Sequence, residues 1–172
     1  MKSYIIYGAY GNPQENWFPW LKEELNAVVP KFPTPKNQSL ENWLKILDSF
    51  EEDSIVIGHS LGVPFILNLL EKSKVKAAFF VAGFVSELGN DKFDKINESF
   101  YLDFNWDKIK KNCKKFYIFH SDNDPYVHLE KAEELQEKLN GELIIVPKAG
   151  HFNEAAGYDK FELLLEKIKS IL

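Results

Sequence analysis

The feature that most constrains this chain is a regular alternation of short, continuous apolar runs with longer amphipathic segments. The runs are Tyr4–Tyr7, Ser54–Ile57, Lys76–Val81, Phe116–Phe119 and Leu143–Val146. Each is about the length of a strand, and each is apolar without alternation, as strands buried on both faces are. A sixth candidate, Lys31–Thr34, is flanked and interrupted by proline, which suits an edge strand. Between the runs lie segments of helical spacing. Residues 14–28 carry Trp17, Trp20, Leu21, Leu25 and Val28, and residues 39–50 open with Ser39 and place Leu40, Trp43, Leu44 and Leu47 on one face. The segments 61–72, 106–113, 128–139 and 158–171 follow the same pattern. Pro64 falls in the first turn of its segment, where proline is tolerated, and Asn140-Gly141 is a helix stop.

Strand and helix in alternation predict an α/β fold: a three-layer sandwich of about six mostly parallel strands with helices on both faces. The stretch 84–105 shows no clear period and is aromatic. It is expected to form a loop or minimal cap, since long irregular stretches in compact domains tend to be functional. No internal repeat or linker is visible, so residues 1–172 are expected to form one domain.

Composition narrows the function. With 45% hydrophobic residues and 14 Phe, the chain can bury a substantial core and is not disordered. A formal net charge of -5 disfavours binding to phosphate backbones, so no nucleic-acid partner is expected. No run approaches the ~18 apolar residues of a membrane span, and the first apolar run is too short for a signal-peptide core. The single cysteine, Cys113, forms neither an internal disulfide nor a zinc cluster. A cytoplasmic protein that needs no membrane, metal or organic cofactor is the expectation.

The chemistry centres on Gly58-His59-Ser60-Leu61-Gly62. The G-x-S-x-G pattern directly follows one predicted strand and opens a predicted helix, the setting of a nucleophile elbow. Small residues on both sides let the turn close tightly and lift Ser60 to the helix N-terminus. There the Leu61 N–H and the helix dipole favour an oxyanion. In such folds the acid and the base follow in that order, on loops after later strands. After Phe116–Phe119 comes His120-Ser121-Asp122-Asn123-Asp124-Pro125, and after Leu143–Val146 comes Pro147-Lys148-Ala149-Gly150-His151-Phe152.

His151 is therefore the expected general base and Asp124 the acid that orients it. Asp122 reads as a turn residue bonded to its own backbone. Of the remaining histidines, His59 is expected to point away at the turn, His120 to end a strand and His128 to start a helix. The loop Gly8-Ala9-Tyr10-Gly11-Asn12-Pro13 is positioned to supply a second oxyanion N–H, from Ala9. Tyr10, Asn12, Phe84 and Phe152 are the expected substrate contacts. Phe93, Phe100, Tyr101 and Phe104 either line an apolar acyl site or seal the core.

Several longer motifs resemble one family. Gly8-x-x-Gly-x-Pro13 with Trp17-x-Pro19-Trp20-Leu21, the Ser60 elbow, Trp106-x-x-Ile109-Lys110-x-Asn112-Cys113, Ser121-x-x-Asp124-Pro125-x-Val127 and Gly150-His151-Phe152 together are similar to the small serine hydrolases of the RBBP9/YdeN type. The resemblance implies a compact α/β-hydrolase with a six-stranded parallel sheet and a Ser–Asp–His triad on Ser60, Asp124 and His151. It also implies weak carboxylesterase-like activity on small esters. Starting almost at its first strand, the chain is expected to lack the extra N-terminal strands of larger relatives. Two departures stand out. Tyr7-Gly8 stands where the family usually has His-Gly, and no Leu-x-Cys-x-Glu motif is present, so retinoblastoma-type partner binding is not carried over. The competing expectations are a thioesterase or small-amide hydrolase, and an interaction module on a hydrolase fold. A monomer or weak homodimer is expected.

Overall fold

The computed structural model describes residues 1–172. Five strands form one sheet: β1 Ser3–Ile6, β2 Ile55–His59, β3 Ala77–Val81, β4 Phe116–Ser121 and β5 Glu142–Val146. They lie in the order β1-β2-β3-β4-β5 and every neighbouring pair is parallel. Seven helices flank the sheet in a three-layer α/β sandwich: α1 Phe18–Leu25, α2 Leu40–Leu44, α3 Gly62–Leu70, α4 Asp91–Asn97, α5 Trp106–Asn112, α6 Leu129–Leu139 and α7 Glu162–Lys169. The central strands β2 and β3 are buried along their whole length, which is why they read as unbroken apolar runs. α3 is almost entirely buried and packs on β1, β2 and α5, while α6 packs on β4 and β5.

The predicted strand Lys31–Thr34 does not form. The sixth, edge position is held instead by an isolated parallel bridge from Val28 to Tyr4, with Ile5 N–H bonded to Val28 O at 2.9 Å and Val28 N–H to Ser3 O at 2.8 Å. The prolines at 30, 33 and 35 remove the donors that a ladder needs. The segment's polar backbone groups are taken by side chains: Tyr7 Oη donates to Phe32 O at 3.0 Å, and Trp43 Nε1–H donates to Pro33 O at 2.9 Å. Thr34 Oγ1 accepts the Tyr10 N–H at 2.7 Å. Lys31–Thr34 is thus a buttress for the loop after β1 rather than a strand.

The stretch 84–105 is also more ordered than its sequence suggested. It contains α4, capped by Asn90, whose side chain accepts from Lys92 N and Phe93 N, followed by a single 3-10 turn at Glu98–Phe100. The chain leaves β1 toward Val28 on one side and returns to β2 on the other. The crevice outside the carboxyl ends of β1 and β2 is therefore a topological switch point, where open α/β sheets bind ligands.

Candidate active site

Three regions meet at that crevice. The first is the elbow. Ser60 adopts φ +55, the left-handed region that costs an L-residue roughly 1–2 kcal/mol. Its N–H bonds to Val81 O at 2.9 Å, and its own carbonyl accepts Val63 N–H at 3.0 Å as α3 begins. The turn passes so close to β1 that a Cβ on Gly62 would lie 2.1 Å from Ile6 O. No other residue fits there.

The second loop, after β1, carries Gly8 and Ala9. A Cβ on Gly8 would lie 2.8 Å from Ser60 Cβ and 3.2 Å from Leu61 N. Glycine brings this loop against the elbow. Its anchor is Tyr7, fully buried among Phe18, Phe32 and Trp43. The Tyr7 hydroxyl both donates to the Phe32 carbonyl and accepts the Phe32 N–H. Tyr7 thus ties the loop to the proline-rich buttress.

The third region joins the loops after β4 and β5, and it is built residue against residue. Asp122 Oδ1 accepts the Lys148 N–H at 2.8 Å, Ser121 Oγ the Ala149 N–H at 3.0 Å and Asn123 Oδ1 the Gly150 N–H at 2.8 Å. Next in line, Asp124 Oδ2 accepts from His151 Nδ1 at 2.7 Å. Four consecutive residues hold four consecutive residues. Asp122 therefore bridges two loops instead of closing its own turn.

Asp124 is buried, and its second oxygen accepts the N–H groups of Tyr126 and Val127, each at 2.9 Å. Burial alone would raise its pKa. The hydrogen bond and charge interaction with His151, with those two N–H donors, outweigh it and hold the carboxyl below its usual range.

Ser60 and His151 share a pocket of about 390 Å³. Ser60 joins the Asp124–His151 pair by facing this pocket, not through a hydrogen bond. Ala9, Tyr10 and Phe84 line it, as do Phe93 and Asn97 of α4. Phe93 packs edge-on against Tyr10 and Tyr126, with ring centroids 6.3 and 5.9 Å apart, and Tyr126 lies 5.2 Å from the His151 ring. Helix α4 thus forms one wall of the pocket that holds Ser60.

Other expected contacts are placed elsewhere. Asn12 lies outside the lining; its Oδ1 accepts Gln14 N–H at 2.8 Å and its amide donates to Glu15. Phe152 is fully buried, stacked on Phe161 at 5.1 Å, and its carbonyl accepts from Trp17 Nε1 at 3.0 Å. Phe100 and Phe104 are core residues, and Tyr101 Oη donates to Asp94 at 2.7 Å. The Leu61 side chain is buried. His128 occupies the position before α6 without a side-chain cap. Burial pushes the Cys113 thiol up to about 12, so it is not a nucleophile at neutral pH.

The sequence missed His59. Its ring points not away but under His151, with centroids 4.8 Å apart, and its Nε2 bonds to the His151 carbonyl at 2.8 Å. Glu15, Asn16, Lys92 and Asn153 also line the pocket. Nothing in their local pattern marks them, because two loops and helix α4 bring them together.

The profile of the Serine hydrolase family matches residues 3–170. The chain belongs to that family, among the small serine hydrolases of the RBBP9/YdeN type. It is 28% identical over 180 residues to the YdeN protein of Bacillus subtilis, covering 97% of this chain and 94% of the relative. It is 26% identical over 182 residues to Serine hydrolase RBBP9 of Rattus norvegicus, covering 99% and 95%. The crystal structure of the B. subtilis ydeN gene product superposes with a TM-score of 0.89 at 27% identity, over 99% of this chain and 97% of that one. Est1E from Butyrivibrio proteoclasticus, at 21% identity and a TM-score of 0.67 over 98% and 88% of the two chains, shares the fold. This chain is accordingly a serine-hydrolase-type enzyme. No helix is long and apolar enough to cross a membrane.

Proposed function

We propose that the enzyme is a carboxylesterase acting on small esters through Ser60, His151 and Asp124. The observation that carries this is the 2.7 Å pairing of His151 Nδ1 with a buried Asp124, in a pocket shared with a serine held at φ +55. Asp124 accepts the Nδ1–H, which leaves Nε2 of His151 free to take a proton. As Ser60 Oγ attacks the ester carbonyl carbon, its proton passes to His151 Nε2, and the tetrahedral oxyanion is held by the N–H groups of Leu61 and Ala9. His151 then protonates the departing alcohol oxygen, leaving an acyl-enzyme. Water attacks the acyl carbon with His151 again as base, releasing the acid and restoring Ser60.

The pocket supports a small substrate. Phe18, Phe84, Leu88 and Phe93 offer an apolar wall, and Asn16, Asn153 and Glu15 a polar one. Acyl transfer by these groups requires neither metal nor organic cofactor, and the same groups would serve a thioester or an activated amide. A substrate panel separates these.

The test is intact-mass spectrometry after treatment with a fluorophosphonate, on wild type and Ser60→Ala, alongside hydrolysis of p-nitrophenyl acetate. One adduct on wild type, absent from the mutant, with parallel loss of hydrolysis, is expected. A folded wild type that neither labels nor hydrolyses any ester, thioester or amide would turn the assignment toward a binding role on a hydrolase scaffold.

A further inference from the structure

We propose that His59 and His120 are positioning residues, each holding through its Nε2–H the backbone carbonyl that fixes one member of the His151–Asp124 pair. The proposal rests on the Ser60–Asp124–His151 assignment and adds to it a device that sets where the base and acid stand.

The two histidines lie at the carboxyl ends of β2 and β4, on either side of β3. His59 Nε2 is 2.8 Å from the carbonyl of His151, and His120 Nε2 is 2.8 Å from the carbonyl of Val127. A carbonyl oxygen only accepts. Both rings must therefore carry their hydrogen on Nε2 and leave Nδ1 bare. Val127 in turn donates its N–H to Asp124 Oδ1 at 2.9 Å. His120 thus holds the residue that holds the carboxylate, while His59 holds the base directly by its backbone.

Both histidines are buried, with 5% and 0% exposure, His59 against the wall of the Ser60 pocket. Trp17 and Phe18 flank His59 at 6.0 and 5.7 Å. The titratable groups facing both rings are Asp124 and His151. Burial, reinforced by the nearby His151, holds His59 down to about 3, and burial likewise lowers His120. Each remains a neutral donor while His151 cycles its proton.

The need for such donors is visible in the loop itself. Lys148, Gly150 and Phe152 all have φ between +51 and +56. Asp122, Ser121 and Asn123 hold the N–H groups of residues 148–150, and His59 holds the carbonyl of His151, so the reach of His151 Nε2 to Ser60 depends on both sets of contacts. His120 also leaves Nδ1 buried without a partner. An apolar side chain would avoid that cost, so the Nε2 contact is what this ring contributes.

The experiment compares His59→Gln, His59→Leu, His120→Gln and His120→Leu with wild type and Ser60→Ala. Glutamine keeps an N–H near the position of Nε2; leucine removes it. Three quantities are read: kcat and KM for p-nitrophenyl acetate, the fluorophosphonate labelling rate, and by NMR the ring 15N shifts with the downfield proton of the Asp124–His151 hydrogen bond. The leucine variants are expected to lose roughly 10- to 100-fold in kcat and labelling rate, the scale of a small misplacement of reacting groups, with KM little changed. Glutamine should recover much of the loss. A purely structural role would lower the melting midpoint of each variant yet leave kcat and the downfield proton unchanged well below the melt.

The proposal is overturned if either wild-type ring carries its hydrogen on Nδ1, or if a folded leucine variant keeps wild-type kcat. Where a leucine variant does not fold, the ring tautomers and the glutamine variant decide. If wild type does not turn over and Ser60→Ala makes no difference, the nucleophile assignment fails on its own. The positioning claim then stands or falls on whether the downfield proton shifts in the histidine variants.

Discussion

Gly8 lies against Ser60 so closely that a methyl group on Gly8 would come within 2.8 Å of the Ser60 Cβ. The same methyl would sit 3.2 Å from both His59 O and Leu61 N, so it cannot be accommodated by turning one flexible side chain. The first loop and the elbow must separate, and that moves Ala9 away from Leu61. Gly8→Ala is expected to reduce ester hydrolysis by about 100-fold or more, because the proposed oxyanion donors no longer converge. Overpacking here should cost about 1–3 kcal/mol of stability. Kinetics on p-nitrophenyl acetate, paired with a thermal melt, would check both. Near-normal kcat in Gly8→Ala would show that the first loop supplies no donor.

Ser60 stores backbone strain at the pocket wall. With φ at +55, replacement by glycine removes a left-handed penalty of about 1–2 kcal/mol, set against up to about 1 kcal/mol of added chain entropy in the unfolded state. Ser60→Gly is expected to be inactive yet to melt as high as wild type or a few degrees higher. A clear drop in midpoint would mean that the serine side chain contributes more to folding than the turn costs.

How much of this was visible in the sequence depends on how each part is encoded. β2 and β3 were legible because burial on both faces writes an unbroken apolar run. The order elbow, Asp124, His151 was legible because each follows a strand that could be recognised. Lys31–Thr34 was not, since its backbone is satisfied by the Tyr7 and Trp43 side chains and such pairing leaves no period. For the same reason nothing local announced that Ser121, Asp122 and Asn123 clasp residues 148–150. The role of His59 was hidden by its neighbour: beside a nucleophile in sequence, it was expected to turn away, whereas the strand pleat sends it beneath His151.

That clasp separates two carboxylates that look interchangeable in sequence. Asp124→Asn removes the charge that stabilises an imidazolium and presents the wrong tautomer to Ser60, so kcat should fall by roughly 10³- to 10⁴-fold with the fold intact. Asp122→Asn keeps an acceptor for the Lys148 N–H and should change kcat less than about threefold. Asp122→Ala frees that N–H at an exposed position, where the lost bond is worth about 1 kcal/mol. Steady-state kinetics and urea unfolding of the three variants would check this. Equal losses from both asparagine variants would dissolve the distinction between the two residues.

The buried histidines also set the direction of acid sensitivity. His59 moves from 6.5 to about 3 on folding, and His120 is lowered too. In the window between those values the unfolded chain binds a proton at position 59 and the folded chain does not. Stability is therefore fully present above about 6.5 and is lost as pH falls toward 3. One proton bound only by the unfolded chain costs about 1.4 kcal/mol for every pH step of one, so His59 gives the stability a marked slope across the window. Asp124, held below its usual range, adds a loss of the same sign only at the acid end, as pH drops through the normal carboxyl region. Unfolding free energy measured in urea from pH 7 to 4 should fall steeply for wild type. His59→Gln has no proton to gain at this position and should show a shallower slope, even if it starts from lower stability at pH 7. Parallel slopes for the two proteins would mean that His59 is protonated in the folded state, and a protonated ring in contact with His151 would be incompatible with a neutral positioning donor.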